Sequence, residues 1–259
     1  MSTEFTPLKS GEELDEFRVE GELARGGMSL VYRCHHKKSG QPYVLKQFYL
    51  PKAELAVVAR QRQAFIREGA RTQGVRHPNL VSCIKQIQNE KGDFLLFPYE
   101  GGESLLQHLN RIHFDGHMPF SRVLALSFML LDILEGLKAN GLVHGDIKPA
   151  NLLLTESNQL KLLDFGVGSS REERSGYVTS KLNRGHTEAE DRRAVLNLML
   201  LLLAGISDLA AFNNKWPAHV AQEPNRLSLA SALMACLKAE ETKGELDLGT
   251  LRAQLLQMS

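Results

Sequence analysis

The sequence predicts an α+β chain in which a small antiparallel sheet comes first and helices follow. Three observations carry this expectation. Between Phe17 and Leu50, short β-like runs alternate with turns. A single stretch at helical spacing comes next, and from Ser121 onward long apolar-faced stretches with start and stop signals take over.

In order, the strand runs are Phe17–Leu23, Leu30–His35 and Tyr43–Phe48, with Lys38-Ser39-Gly40 as the second turn. Gly26 and Gly27 fall between the first two runs, where a missing Cβ lets backbone N–H groups approach an anion. Pro51 suits the first turn of a helix, Leu55, Val58, Phe65 and Ile66 recur near helical spacing, and Gly74 can end it. Phe94 to Phe97 reads as a strand running into Pro98-Tyr99-Glu100-Gly101-Gly102, a linker. Ser121 is a good N-cap and Asn140-Gly141 a good stop for a long helix between them. The apolar run Ala194 to Ile206 is 13 residues long and interrupted by Asn197, short of the ~20 needed to span a bilayer, so it reads as a buried helix. Two further helices are expected between Leu227 and Met258.

Composition narrows the function class. With 43% hydrophobic and 24% charged residues in 259, the chain can bury one large core or two small ones. A net charge of +1 argues against general nucleic-acid binding and against a polybasic membrane surface. Cys34, Cys83 and Cys236 stand far apart, without the spacing of a disulfide framework or a metal pair, which fits a reducing cytoplasmic setting. Residues 1–16 are polar and acidic, without a secretory profile, and read as a flexible lead-in. His108, His113 and His117 lack the carboxylates or cysteines of a metal site and read as surface residues.

The chemistry concentrates between Leu142 and Leu154. Apolar residues on both sides set a short polar loop between buried segments, and the loop holds Asp146, Lys148 and Asn151. An Asp can orient and deprotonate a hydroxyl, a Lys two residues on can neutralise a transferring phosphoryl, and an Asn carbonyl can complete a Mg²⁺ shell. Asp164-Phe165-Gly166 follows a strand-like run, Gln159 to Leu163, and supplies a hard carboxylate for the same metal.

His144-Gly145-Asp146-x-Lys148-x-x-Asn151 followed by Asp164-Phe165-Gly166 resembles the catalytic and magnesium loops of eukaryotic-type Ser/Thr protein kinases. The resemblance covers Phe17 to about Gln257 and implies a two-lobed kinase-like fold. Its small β-rich lobe (17–97), hinge (98–102) and larger helical lobe (103–259) form one domain, with nucleotide in the cleft between the lobes. It implies ATP and Mg²⁺ as cofactors and a Ser or Thr hydroxyl of a protein as acceptor, because Lys148 follows the Ser/Thr-type pattern. Asp146 and Lys148 become the catalytic pair, and Asn151 and Asp164 the metal ligands. Ala24, Gly26, Gly27 and Val31 become the glycine-rich loop, with Ala24 and Ser29 where the family's first and third glycines stand. Lys46 becomes the α/β-phosphate lysine, positioned by Glu68. Phe97 becomes the gatekeeper behind the adenine, Pro98 offers its carbonyl and Glu100 its N–H to the ring, and Glu103 becomes a ribose partner. Asp191 resembles the Asp that opens the family's central helix and binds the catalytic-loop backbone. Without the resemblance, the same residues read as a Gly-Gly hairpin, a strand-edge Lys, a solvated helix Glu, a linker and a helix-start Glu.

Three departures from the family pattern are visible. Gly145 replaces the arginine that grips a phosphorylated activation segment, so phosphorylation of that segment is expected to be dispensable. No Ala-Pro-Glu lies between Gly166 and Asp191, and no partner arginine for it is evident around Glu240 to Gly244. The docking platform therefore reads as truncated, and an activating or scaffold partner that completes it is expected. His-Gly-Asp also resembles aminoglycoside and choline phosphotransferases, so a small-molecule acceptor is the alternative. A nucleotide-binding pseudokinase or interaction module is the third reading.

Overall fold

A computed structural model describes residues 6–51, 53–115, 118–165, 187–204, 218–243 and 247–258. Ser169, Ser170, Arg171, Arg174, Ser175, Thr179, Ser180 and Arg184, which the resemblance assigns to the activation segment, together with Gly166, Gly185, His186, Ile206 and His117, lie outside them. The chain divides into two compact units, one of residues 1–77 and 81–101, the other of residues 78–80 and 102–259.

The first unit is a six-stranded antiparallel sheet with one helix. Its strands are β1 (Glu13–Leu14), β2 (Phe17–Arg25), β3 (Ser29–His36), β4 (Pro42–Phe48), β5 (Lys85–Asn89) and β6 (Gly92–Pro98), in the order β1-β2-β3-β4-β6-β5. Because successive side chains alternate across a strand, the register sorts them into two faces. Leu30, Tyr32, Cys34, Leu45, Phe94 and Leu96 share one face and its buried core. Phe48, Leu95 and Phe97 lie on the other, against Val58 and Phe65 of α1 (Leu55–Thr72). Leu163, the end of the expected strand before Asp164, falls one residue past the observed strand β9 (Leu160–Leu162) in the second unit.

Residues 6–16 are not a flexible lead-in. Leu8 and Leu14 are buried in the first core, and Glu13 and Leu14 pair with Arg18 and Phe17. The cause is a buried polar network. Gln47, fully buried, accepts from the Tyr32 hydroxyl at 3.0 Å and donates to the Thr6 carbonyl at 3.0 Å, while Leu8 N–H donates to the Tyr32 oxygen at 3.0 Å. Ordering the segment satisfies these groups, which would otherwise be buried unpaired.

α1 begins later than Pro51 suggests, at Leu55 with Glu54 as N-cap, since the first α1 side chain to reach the core is Val58. It ends at Thr72, with Gln73 N–H on the Gly69 carbonyl and Gly74 at a φ of 87°. The second unit begins with a three-stranded sheet, β7 (Gly102–Ser104), β8 (Leu152–Thr155) and β9, beside α2 (Leu105–Asp115) and α3 (Phe120–Ala139). α3 takes Pro119 rather than Ser121 as its N-cap and stops at Asn140 as expected. The remaining described helices are α4 (Glu188–Ala204), α5 (Ala218–Ala221), α6 (Pro224–Lys243) and α7 (Leu248–Gln257).

His77–Val81 lies in the loop that leads into β5. Leu80 forms an isolated parallel bridge with Leu162, and the Asn79 side chain donates to the Leu160 carbonyl at 2.7 Å. Glu240, where a partner arginine was sought, is itself a buried acid. It receives Arg192 of α4 in a two-point ion pair, Nη2–Oε1 2.7 Å and Nε–Oε2 3.0 Å.

Replacing Tyr32 by Phe keeps the ring but strands the Gln47 oxygen and the Leu8 N–H. We expect a loss of about 1–3 kcal/mol of stability, read as a lower urea midpoint than the parent. A midpoint unchanged in Tyr32→Phe would show that the N-terminal segment is held by its leucines alone.

Candidate active site

In the first unit, the strand register assembles a row of residues from four strands. Ala24 pairs with Val31, Val31 with Lys46, and Lys46 with Leu95, while the neighbouring row reads Arg33, Val44 and Phe97. Directly paired residues share a face, so Ala24, Val31, Val44 and Phe97 form an apolar strip beside the Lys46 ammonium. Val31, Val44 and Phe97 are half-buried, and Ala24 is exposed. Val44 was missed in the sequence, although its place two residues before Lys46 on a strand fixes the shared face. Gly26 and Gly27 close the turn between β2 and β3, with Gly26 N–H on the Ser29 carbonyl at 2.8 Å.

Lys46 and Glu68 form an ion pair, Nζ to Oε1 2.8 Å and to Oε2 3.1 Å, with side chains 12% and 4% exposed. At that burial the pair is shielded from water, unlike a surface bridge of marginal worth. Pro98 ends β6 opposite Tyr43, and Glu100 is half-buried in the segment after it.

The second unit holds the other predicted groups. α4 presents Asp191, 3% exposed, which accepts from His144 N–H at 2.7 Å and from Gly145 N–H at 2.8 Å. Gly145 has a φ of 78°, a conformation that favours glycine over the family's arginine. His144 is locked by three contacts. Its Nε2 lies 3.0 Å from the Leu163 carbonyl, which can only accept, so that nitrogen carries the proton. Nδ1 then accepts from Asp146 N–H at 3.2 Å. The Phe165 ring packs edge-on against the imidazole at 5.0 Å.

Asp146 thus leaves the loop in a fixed direction. Its Oδ2 accepts from Lys148 Nζ at 2.6 Å and from Asn151 Nδ2 at 3.0 Å, and Asn151 Nδ2 also reaches the Asp146 carbonyl at 2.9 Å. Both contacts of Asn151 use its nitrogen, which leaves Oδ1, a hard oxygen donor. Leu163 N–H donates to the Asn151 carbonyl at 2.9 Å, bringing the residue before Asp164 against Asn151. Asp164 is exposed, at a φ of 61°, a left-handed conformation that Asp tolerates better than most residues. Among the described residues no group of three or more His, Cys, Asp or Glu converges. One carboxylate and one amide oxygen still suit Mg²⁺, which keeps water and phosphate oxygens as most of its ligands.

Glu103 is placed differently from a helix-start carboxylate. It lies in β7, and its Oε1 accepts from His108 Nδ1 at 2.8 Å and from Arg111. Hydrogen bonds from Arg111 first, and then from His108, hold its carboxyl below the usual range. His108 is accordingly part of a hydrogen-bonded cluster and not an isolated surface residue.

Burial lowers the His144 pKa below its ordinary value, against the raising effect of nearby acceptors and carboxylates. An unfolded histidine titrates near ~6.5. Above that value both states are neutral and stability is at its full level. As the pH falls from there toward the lower folded value, the unfolded chain takes up a proton that the folded one refuses, and stability is lost. Melting midpoints measured from pH 7.5 downward, as a chosen range, should fall below about 6.5, and fall less in His144→Gln. Equal slopes in parent and variant would show that His144 binds its proton alike in both states.

With this geometry in place, comparison with known proteins gives a single answer. The family described as protein kinase domain matches residues 17–186, more than half of the chain. The cAMP-dependent protein kinase catalytic subunit of Dictyostelium discoideum is 30% identical over 211 residues, covering 77% of this chain and 31% of that protein. A probable serine/threonine-protein kinase of Streptomyces coelicolor is 32% identical over 149 residues, covering 56% and 21%. The chain spans less than a third of the length of either relative. The PknI kinase domain of Mycobacterium tuberculosis superposes with a TM-score of 0.69 at 21% identity, over 98% of this chain and all of that one. The apo form of PpkA-294 gives 0.69 at 17%, over 97% and 99%. At such identities the structures speak for the fold, the family match speaks for descent, and the chain belongs to the protein kinase family.

Proposed function

We propose that this chain transfers the γ-phosphoryl group of ATP to a Ser or Thr hydroxyl of a protein. The observation that carries the reading is the Asp146 carboxylate, aimed by an anchored loop and contacted on one oxygen by both Lys148 and Asn151. Among the described residues no side chain bonds its other oxygen, which suits it to receive an acceptor hydroxyl. That hydroxyl donates its proton to Asp146 as its oxygen forms a bond to the γ-phosphorus and the bond to the departing ADP oxygen breaks. Lys148, its side chain 42% exposed, neutralises charge on the transferring group.

Lys46 holds the α- and β-phosphates, kept in place by Glu68. The strip of Ala24, Val31, Val44 and Phe97 meets the adenine, with the Pro98 carbonyl and Glu100 N–H as its polar contacts. Gly26 and Gly27 cover the phosphates. Asn151 Oδ1 and Asp164 would hold Mg²⁺, which when bound screens the charge of the phosphate oxygens. A ribose contact from Glu103 would compete with Arg111 and His108 for the carboxylate. The relatives are protein kinases, which supports a protein over a small-molecule acceptor. The cytoplasmic part of the reading rests on the free cysteines Cys34, Cys83 and Cys236, which fit a reducing setting, and no described helix is long and apolar enough to cross a membrane. A partner that completes the docking platform remains part of the reading.

Asp146→Asn and Asp164→Asn should each lower phosphate transfer from labelled ATP into a protein mixture by roughly 10²-fold or more, with circular dichroism unchanged. Full activity in Asp164→Asn, or label entering only a metabolite mixture offered in parallel, would overturn the assignment.

Phe97 should limit the depth of the adenine pocket. Phe97→Gly is expected to bind ATP analogues enlarged at N6 that the parent excludes, as measured by calorimetry. Equal binding of such analogues by parent and variant would place the limit at another residue.

A further inference from the structure

The ion pair Lys46–Glu68 is not the only charged tie between α1 and the sheet. Arg62, six residues before Glu68, makes a two-point contact with Asp93 of β6: Nη2 lies 2.9 Å from Oδ1, and Nε meets Oδ2. Asp93 is 6% exposed, and its Oδ1 also accepts from Gln88 Nε2 at 2.8 Å. The acid is thus fixed by its own hairpin before the helix meets it. The polarity is reversed relative to the first pair: one tie sets a helix carboxylate on a strand ammonium, the other a helix guanidinium on a strand carboxylate.

The helical pitch shows what the second tie does. At about 100° per residue, Arg62 and Glu68 project roughly 120° apart, with Phe65 midway between them. They therefore bracket the buried stripe of Val58, Gln61, Phe65, Gly69 and Thr72 from its two edges. Only Val58 and Phe65 in that stripe are bulky and apolar, so packing alone grips the helix weakly against rotation. Gly69 adds closeness but no grip, since a Cβ there would sit 2.4 Å from the Leu95 side chain. A rotation that carries Glu68 away from Lys46 must also move Arg62 against the bidentate geometry of its contact with Asp93, which a guanidinium fork holds in direction as well as distance.

We propose that Arg62 and Asp93 are positioning residues for phosphoryl transfer, setting the rotation of α1 that keeps Glu68 on Lys46. This rests on the assignment of Lys46 and Glu68 to the nucleotide phosphates. The hydrogen bond to Asp93 raises the affinity of Arg62 for its proton, against the opposing effect of burial.

The test is a double-mutant cycle on the full chain, with kcat/KM for ATP and calorimetric Kd for Mg·ADP measured for each protein. Arg62→Gln should lower kcat/KM about tenfold in the parent and less than about twofold in the Glu68→Gln background, since both changes act on one contact. Arg62→Lys, which keeps the charge and loses the fork, should recover part of the loss. Asp93→Asn provides the same cycle from the strand side if Arg62→Gln does not fold. An equal factor in both backgrounds would overturn the proposal, because a merely structural loss ignores the state of Glu68. If Glu68→Gln by itself changes neither rate nor nucleotide affinity, the assignment of Lys46 and Glu68 fails, and the proposal falls with it.

Discussion

The proposed catalytic loop depends on one carboxylate that lies outside the proposed chemistry. Asp191 receives two successive backbone N–H groups, those of His144 and Gly145, and so fixes the chain direction just before Asp146. Buried donors without partners are costly, so the loop and the start of α4 hold each other in place. From this anchor the rest follows by contact: the imidazole of His144 spans Asp146 and Leu163, Phe165 packs on the imidazole, and Asn151 ties back to Asp146. Each group is oriented by its neighbour, which is the preorganisation that phosphoryl transfer needs from a protein.

The sheet of the first unit solves a different problem, that of keeping one lysine charged and directed inside a largely apolar unit. Alternation along β4 places Lys46 and Gln47 on opposite faces, each with its own polar partners. A slip of one residue would put an ammonium into the apolar core and an amide beside Glu68. The polar demands of the two faces therefore reinforce a single register, and Val31, Val44 and Phe97 inherit their common face from it.

Local signals in the sequence were enough to find what is local in the fold. The strand runs, the stop at Asn140-Gly141 and the polar loop around Asp146 rest on residues whose neighbours in the chain explain them, whereas the Asp191 contact and the Lys46–Glu68 pair join distant residues and were expected only from the family resemblance. Distant pairing outside that resemblance was not legible. Leu8 and Leu14 are lone apolar residues in a polar stretch, and only the positions of Tyr32 and Gln47 show why they are buried. Arg62 and Asp93 are separated by a loop and a strand, and nothing near either names the other. Glu240 reads as a solvated helix acid until Arg192 is seen beside it. Pro51 and Ser121 mislead for the opposite reason: each is a sound local signal for a helix start, overruled by where the first core-facing side chain falls.

The ordered residues before Phe17 bear on where this domain can be cut. The family match begins at Phe17, and a fragment chosen on that boundary would lose Leu8 and Leu14 from the core, along with the carbonyl and amide that satisfy Gln47 and Tyr32. The fragment would keep every residue of the candidate active site and still expose the back of the sheet that carries Lys46. Expression tags and fusion joints accordingly belong upstream of Thr6, and a preparation trimmed to the family boundary would report on a damaged sheet rather than on the proposed chemistry.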